Sequence, residues 1–315
     1  MSCSKKNLVY TTIGHSKNYV PCLQHLFQSI FTFSPNPNFD LLIICDESLI
    51  YDVQSCLTKV CKSQEVHIES ILFSIVPNAL TPMRSSMQKL RIFDIDNIHS
   101  YKNVLFIDLD VLCLCPLNPL FTNFEELLEK HPEKLERLQV CHERTNYEDH
   151  KEIFWSMDSY SDQDIEYFKT NKILPFNAGC FLFRVSKQME EHFTNVRKMV
   201  IESYKNRKLF FYEQAFMNVY FNSSNLIAYD IINPLIYKMF PDLEEYYEGK
   251  IIHFCGTPGN GLVKFKTMES YINKHSIFKI FNNVKDSKSL TILPLETSKH
   301  VKKCKDEIPR RKIIL

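Results

Sequence analysis

The chain has 315 residues, 44% of them hydrophobic and 24% charged, which is enough for one large core or two smaller ones. A formal net charge of +1 argues against a nucleic-acid partner, and no apolar stretch approaches the ~20 residues of a membrane span. The opening MSCSKKNLVY lacks the long apolar segment of a secretory leader, so the eleven cysteines read as reduced, mostly packed thiols of a cytoplasmic protein.

The apolar pattern alternates from the start. NLVYTTIG (7–14) predicts a first strand, and YVPCLQHLFQSIF (19–31) has helical spacing. FDLLIICDE (39–47) reads as a buried parallel strand, followed by a helix over SLIYDVQSCLTKV (48–60). A third strand falls at 67–76, a helix at 85–95, and then a long apolar strand, NVLFIDLDVLC (103–113). This order predicts an α/β fold with a mostly parallel central sheet flanked by helices on both faces.

Beyond it the pattern loosens. NFEELLEKHPEKLERL (123–138) reads as an exposed charged helix broken near Pro132, and 144–175 as a polar, aromatic excursion or lid. FNAGCFLFRV (176–185) reads as a strand, 187–204 and 213–221 as helices, and 225–233 and 250–256 as late strands. One domain is expected over 1–287, with a peripheral tail over 288–315 that is basic: Lys299 to Lys312 holds seven Lys/Arg and two acids.

Two acids, Asp108 and Asp110, interrupt the apolar run around Leu109. In an extended chain they share a face, at the strand end where open α/β sheets bind ligands. Like charges so close repel unless a cation neutralises them, and a divalent ion is the simple remedy. Three of the six glycines fall in GTPGNG (256–261), directly after the apolar strand that ends near His253 and just before Lys264. Imidazole suits manganese-like ions, and a flexible glycine loop followed by lysine suits a phosphate. No GxGxxG or GxxxxGK[ST] can be assembled, so dinucleotide-binding and P-loop readings lose their main support. Cys113-x-Cys115 fits no usual zinc spacing.

MQKLRIFDIDNIHSYKNVLFIDLDVLCLCPLNPLF, FNAGCFLF, EQAFMN and HFCGTPGNGLVKF occur in that order. The set resembles the nucleotide-sugar transferases of glycosyltransferase family 8, which includes glycogenin and bacterial lipopolysaccharide galactosyl- and glucosyltransferases. The resemblance implies a GT-A fold and a retaining transfer of a hexose, glucose or galactose, from a UDP-sugar to an acceptor hydroxyl with Mn²⁺ or another divalent ion. Carried over residue by residue, it implies that Asp108, Asp110 and His253 bind the metal. Lys89, Leu109, Lys264 and Gly256 would contact the diphosphate or sugar, and Thr11 and Thr12 the uridine. Asn177, Ala178 and Gly179 would line the sugar subsite, with Gln214 near the anomeric carbon beside Glu213. The implied acceptor is a glycan, protein or lipid, and a homodimer is compatible with it. This chain has T-T-I-G-H where the family has T-T-N-D, Glu213 where it has aspartate, and TPGNGLVKF in place of a K-P-W ending.

Two other readings use the same residues. A sugar-nucleotide-binding protein of this fold could have lost transfer. FIDLDVL also fits the opening of haloacid-dehalogenase-like phosphatases, but about a hundred residues of β/α pattern precede it here and no acidic G-D-x-x-x-D segment follows.

Overall fold

The computed structural model describes residues 6–64, 71–76, 85–143, 161–204, 212–255 and 260–278. Its centre is a seven-stranded sheet built on β1 (Asn7–Ile13), which pairs parallel with β2 (Phe39–Asp46) on one side and β4 (Asn103–Ile107) on the other. β3 (Ile71–Val76) extends the parallel half beyond β2. β7 (Phe176–Arg184) runs antiparallel to β4, β6 (Leu138–His142) antiparallel to β7, and β8 (Ile227–Ala228) parallel to β6. The order β3-β2-β1-β4-β7-β6-β8 keeps four of six pairings parallel, a mixed α/β architecture with a mostly parallel sheet, as expected. A small second sheet joins β5 (Val111–Cys113), β10 (Ile251–His253) and β9 (Tyr237–Met239) in the order β5-β10-β9.

Alternation along β1 divides the interior in two. Val9 and Ile13 face a core shared with α1 (Val20–Phe33), α2 (Ile50–Gln64), α3 (Asn118–Lys130), the small sheet and α7 (Gly261–Lys274). Leu8 and Tyr10 face a second core made with α4 (Asp162–Thr170), α5 (Lys187–Tyr204) and α6 (Tyr212–Ser223). Both faces of the sheet are therefore apolar, as its continuous hydrophobic runs require.

Several elements differ from expectation, each for a local reason. The strand predicted over 103–113 is two strands in two sheets, with Asp108–Asp110 forming the turn between them. A pleat covered on both faces has no room for two charges, so the chain leaves the large sheet at the first acid and enters the small one after the second. The helix predicted over 85–95 is chiefly a 3-10 segment, Met87–Asp94, and the carbonyl of Lys89 accepts the Tyr10 hydroxyl at 2.8 Å. The charged helix begins earlier, at Asn118, and stops at Lys130, just before the break expected near Pro132; a 3-10 turn, Pro132–Lys134, follows, and Leu138 opens β6. The strand predicted over 225–233 shrinks to Ile227–Ala228, because the Gln139 carboxamide oxygen accepts the backbone N–H groups of Asp230 and Ile231 at 3.1 and 3.2 Å.

The glycine loop expected to run through Lys264 ends sooner. Asn260 caps α7 by accepting the Leu262 N–H at 3.0 Å, so Lys264 stands on the first turn of a helix. Gly261 opens that helix because nothing larger fits: a Cβ there would lie 2.5 Å from Asn18 O and 2.7 Å from the Tyr19 ring. Most of the excursion at 144–175 lies outside the described residues, although 162–170 is helical; the 1–287/288–315 boundary also lies outside them. Among the described residues no helix is long and apolar enough to cross a membrane.

Candidate active site

The two acids sit where the sheets meet. Asp108 still belongs by its backbone to the large sheet, its N–H donating to Gly179 O at 2.8 Å. Asp110 belongs to the small one, its carbonyl accepting the Phe254 N–H at 2.9 Å. His253 arrives at the end of β10, and one ligand atom from each of Asp108, Asp110 and His253 lies within 4.8 Å of the others. Among the described residues this is the one such cluster of possible metal ligands.

Charge around the cluster is carefully divided. Lys89 Nζ lies 3.3 Å from Asp108 Oδ1 and 2.8 Å from Glu213 Oε1, and donates to Ala178 O at 3.2 Å. Asp110 pairs with His253 Nε2 at 3.2 Å through Oδ1 and with Lys264 through Oδ2. Burial pushes the Asp108 carboxyl up, Lys89 opposes this and Asp110 reinforces it, leaving it raised. Burial acts upward on Asp110 too, but His253 and Lys264 outweigh it and hold that carboxyl well below the usual range. Burial disfavours the His253 imidazolium, yet Cys255 and Asp110 prevail and hold its pKa well above the ordinary value.

Two crowded carboxylates and an imidazole form a hard, mostly oxygen donor set, which fits a manganese- or magnesium-like ion and does not fit a thiolate metal. Eight of the nine described cysteines are buried. The cysteines around residue 113 therefore pack, as their spacing suggested.

The start of β7 lies directly beside the cluster, through the Gly179 carbonyl that accepts the Asp108 N–H. Asn177 Oδ1 accepts the Gly179 N–H at 2.9 Å and the Tyr237 O–H at 3.0 Å, and its amide donates to Glu143 Oε1 at 3.0 Å. Gln214, on α6, accepts the Ala178 N–H at 3.0 Å, and its neighbour Glu213 is locked on Lys89. Leu109 is buried between the two acids. Thr11 and Thr12 lie near the end of β1, before Ile13; Thr11 Oγ1 is buried without a hydrogen-bond partner. Gly256 lies outside the described residues. The sequence reading did not single out Tyr237 or Glu143. Neither sits in a recognisable motif, although a tyrosine on a short strand paired with that of His253 is the kind of neighbour such a ligand needs.

Gly179 is tested directly. A Cβ on it would fall 2.8 Å from both His253 Nδ1 and Asn177 Oδ1, and closer still to the imidazole Cε1. Gly179→Ala is therefore expected to destabilise the fold by about 1–3 kcal/mol through overpacking and to weaken divalent-ion binding, because the imidazole is the group that must move. Urea midpoints and Mn²⁺ titration check both effects; wild-type ion affinity in this variant would contradict the packing seen here.

A profile of glycosyl transferase family 8 matches residues 10–258. Among solved structures the chain is similar to the apo WbbM bifunctional glycosyltransferase, with TM-score 0.55, 19% identity, and coverage of 89% of this chain and 52% of that one. It thus spans about half the length of WbbM. It is also similar to the galactosyltransferase LgtC in complex with donor and acceptor sugar analogues (TM-score 0.54, 15% identity, coverage 85% and 95%). A third likeness is to mouse xyloside xylosyltransferase 1 (TM-score 0.51, 12% identity, coverage 81% and 99%). At these identities the likeness is one of fold. No curated protein sequence matches the chain.

Proposed function

The chain belongs to glycosyl transferase family 8, and from that membership and the acid–imidazole cluster we propose that it moves a hexose, glucose or galactose, from a UDP-sugar to an acceptor hydroxyl with retention at the anomeric carbon. The observation that carries this reading is the convergence of Asp108, Asp110 and His253 from two sheets on one point. These three would hold the divalent ion, with Mn²⁺ the proposed occupant; when bound it supplies Lewis-acid stabilisation of the charge developing on the departing diphosphate.

The other residues have work that their contacts define. Lys264 projects from the first turn of α7 toward Asp110 and can offer its ammonium to a phosphate once that acid is otherwise engaged. Lys89 holds Asp108 and Glu213 in place from below. Asn177, Ala178 and Gly179 form the wall against which a sugar would lie, Gly256 belongs to the proposed phosphate loop, and Thr11 and Thr12 are assigned to the uridine. Gln214, beside the wall, is a neutral amide and a poor nucleophile, and Glu213 is buried and ion-paired at 2.8 Å. Neither suits a covalent intermediate, which supports retention by attack on the leaving-group face, with a departing phosphate oxygen taking the acceptor proton.

The family implies a glycan, protein or lipid acceptor, and we propose one domain over 1–287 with the basic segment 288–315 outside it. A panel of UDP-sugars, each with and without Mn²⁺ and read by thermal shift and by release of UDP, tests the reading. Metal-dependent stabilisation and turnover by UDP-glucose or UDP-galactose is the expected result. Stabilisation without turnover in the presence of varied acceptors would instead favour a binding protein of the same fold.

A further inference from the structure

Three side chains behind the acid cluster form a hydrogen-bonded row whose direction the structure fixes. A backbone N–H can only donate, so the Asn177 atom 2.9 Å from Gly179 N is the carboxamide oxygen. That oxygen also faces the Tyr237 hydroxyl at 3.0 Å, and since it can only accept, the single hydroxyl proton points toward it. The hydroxyl oxygen of Tyr237 lies 2.5 Å from His253 Nδ1. Its proton being committed, it accepts there, and Nδ1 carries the hydrogen. The far end of the row is anchored too, the Asn177 amide donating to Glu143 Oε1 at 3.0 Å.

We propose that Tyr237 is a positioning residue for the divalent ion: by accepting the Nδ1–H of His253 it sets the imidazole so that the Nε2 lone pair faces the ion. The inference rests on reading Asp108, Asp110 and His253 as the metal site, and it deepens that reading by assigning the group that orients the histidine. The geometry supports it from both sides. Nε2 is the nitrogen 3.2 Å from Asp110, and the ring edge carrying Nδ1 fills the space that a side chain on Gly179 would need. Tyr237 and His253 are both nearly inaccessible to solvent, so no water replaces the hydroxyl from outside. The row also joins the two sheets, since Asn177 stands on β7 of the large one and Tyr237 and His253 on β9 and β10 of the small one.

Tyr237→Phe keeps the ring and removes only the acceptor. Outer hydrogen bonds of this kind contribute about ten- to a hundredfold in metal affinity, and that loss is expected for Mn²⁺ measured by electron paramagnetic resonance without any sugar donor. A second readout does not need the variant. In Cd²⁺-loaded wild-type protein with nitrogen-15-labelled histidine, His253 should show a protonated Nδ1 in slow exchange with water and a metal-bound Nε2. In Tyr237→Phe that proton should exchange rapidly. Cd²⁺ on Nδ1, an unprotected Nδ1–H in the wild type, or unchanged Mn²⁺ affinity in a folded Tyr237→Phe each overturns the proposal. Asp110→Asn serves as the control: if it binds Mn²⁺ as the wild type does, the metal reading itself is at fault, whereas loss there with none in Tyr237→Phe removes only the role of the tyrosine.

Discussion

Asp110→Asn is expected to lower UDP-sugar turnover by about three orders of magnitude, equivalent to ~4 kcal/mol at about 1.4 kcal/mol per factor of ten. The carboxylate is where three contributions meet. One oxygen faces His253 and the other Lys264, and the backbone of the same residue starts the small sheet through Phe254. An amide keeps the shape and one accepting oxygen, so the fold should persist, but it takes a full negative charge from the proposed metal site. Because this carboxyl is held below its ordinary range when folded, its contribution to stability is present above the normal carboxylate pKa and is lost as pH falls through the folded value. At neutral pH the wild type therefore has all of that contribution. The ion-free variant should melt somewhat lower, with the gap closing only in strong acid. Turnover with Mn²⁺ near the wild-type rate would remove the acid from the proposed chemistry.

The largest effect on stability is expected at Lys89. Its ammonium is almost wholly buried and answers two carboxylates, Asp108 and Glu213, as well as the Ala178 carbonyl. Burial would lower its pKa, but the two acids more than reverse this and raise it. A lysine raised in the folded state stabilises fully below its unfolded pKa of about 10.4 and loses that only as pH rises through the folded value, so the effect is intact at neutral pH. Lys89→Met strands both acids in a site built for a cation and should cost about 3–5 kcal/mol, read as a lower urea midpoint. Lowering pH should narrow the deficit, since the Asp108 carboxyl, already raised by burial, then takes up a proton. Adding Glu213→Gln should recover part of it, because the second substitution removes a charge that has lost its partner. A double variant no more stable than Lys89→Met would mean that Glu213 is not the group being neutralised.

Much of this arrangement was legible in the residues. The β/α alternation through residue 107 required a covered sheet, and two acids inside an apolar run pointed to a place where a positive charge could meet them. The acids do gather with His253, whereas the single strand expected over 103–113 breaks at them. What failed was local form decided by distant partners. The strand at 138–142 was hidden because Leu138 read as the end of a charged helix and the four residues after it carried no clear period, and pairing with β7 and β8 makes them extended. The helix after Gly261 was missed for a different reason. Its apolar residues Met268, Tyr271 and Ile272 have helical spacing, but three nearby glycines drew attention to a loop. Tyr237 and Glu143 had no motif to announce them, and their roles depend on strands that lie far apart in the chain.

The turn at 108–110 makes the separation of the two acids a matter of how one layer rests on another. Within a single pleat, neighbours two residues apart keep their spacing whatever happens elsewhere. Here one acid is tied to the larger layer through Gly179 and the other to the smaller through Phe254, so a slight tilt between layers alters the grip on any ion. Replacements deep in the interior, touching none of the polar groups, would then register first as a weakened hold on the cation, and only later as a loss of folded protein.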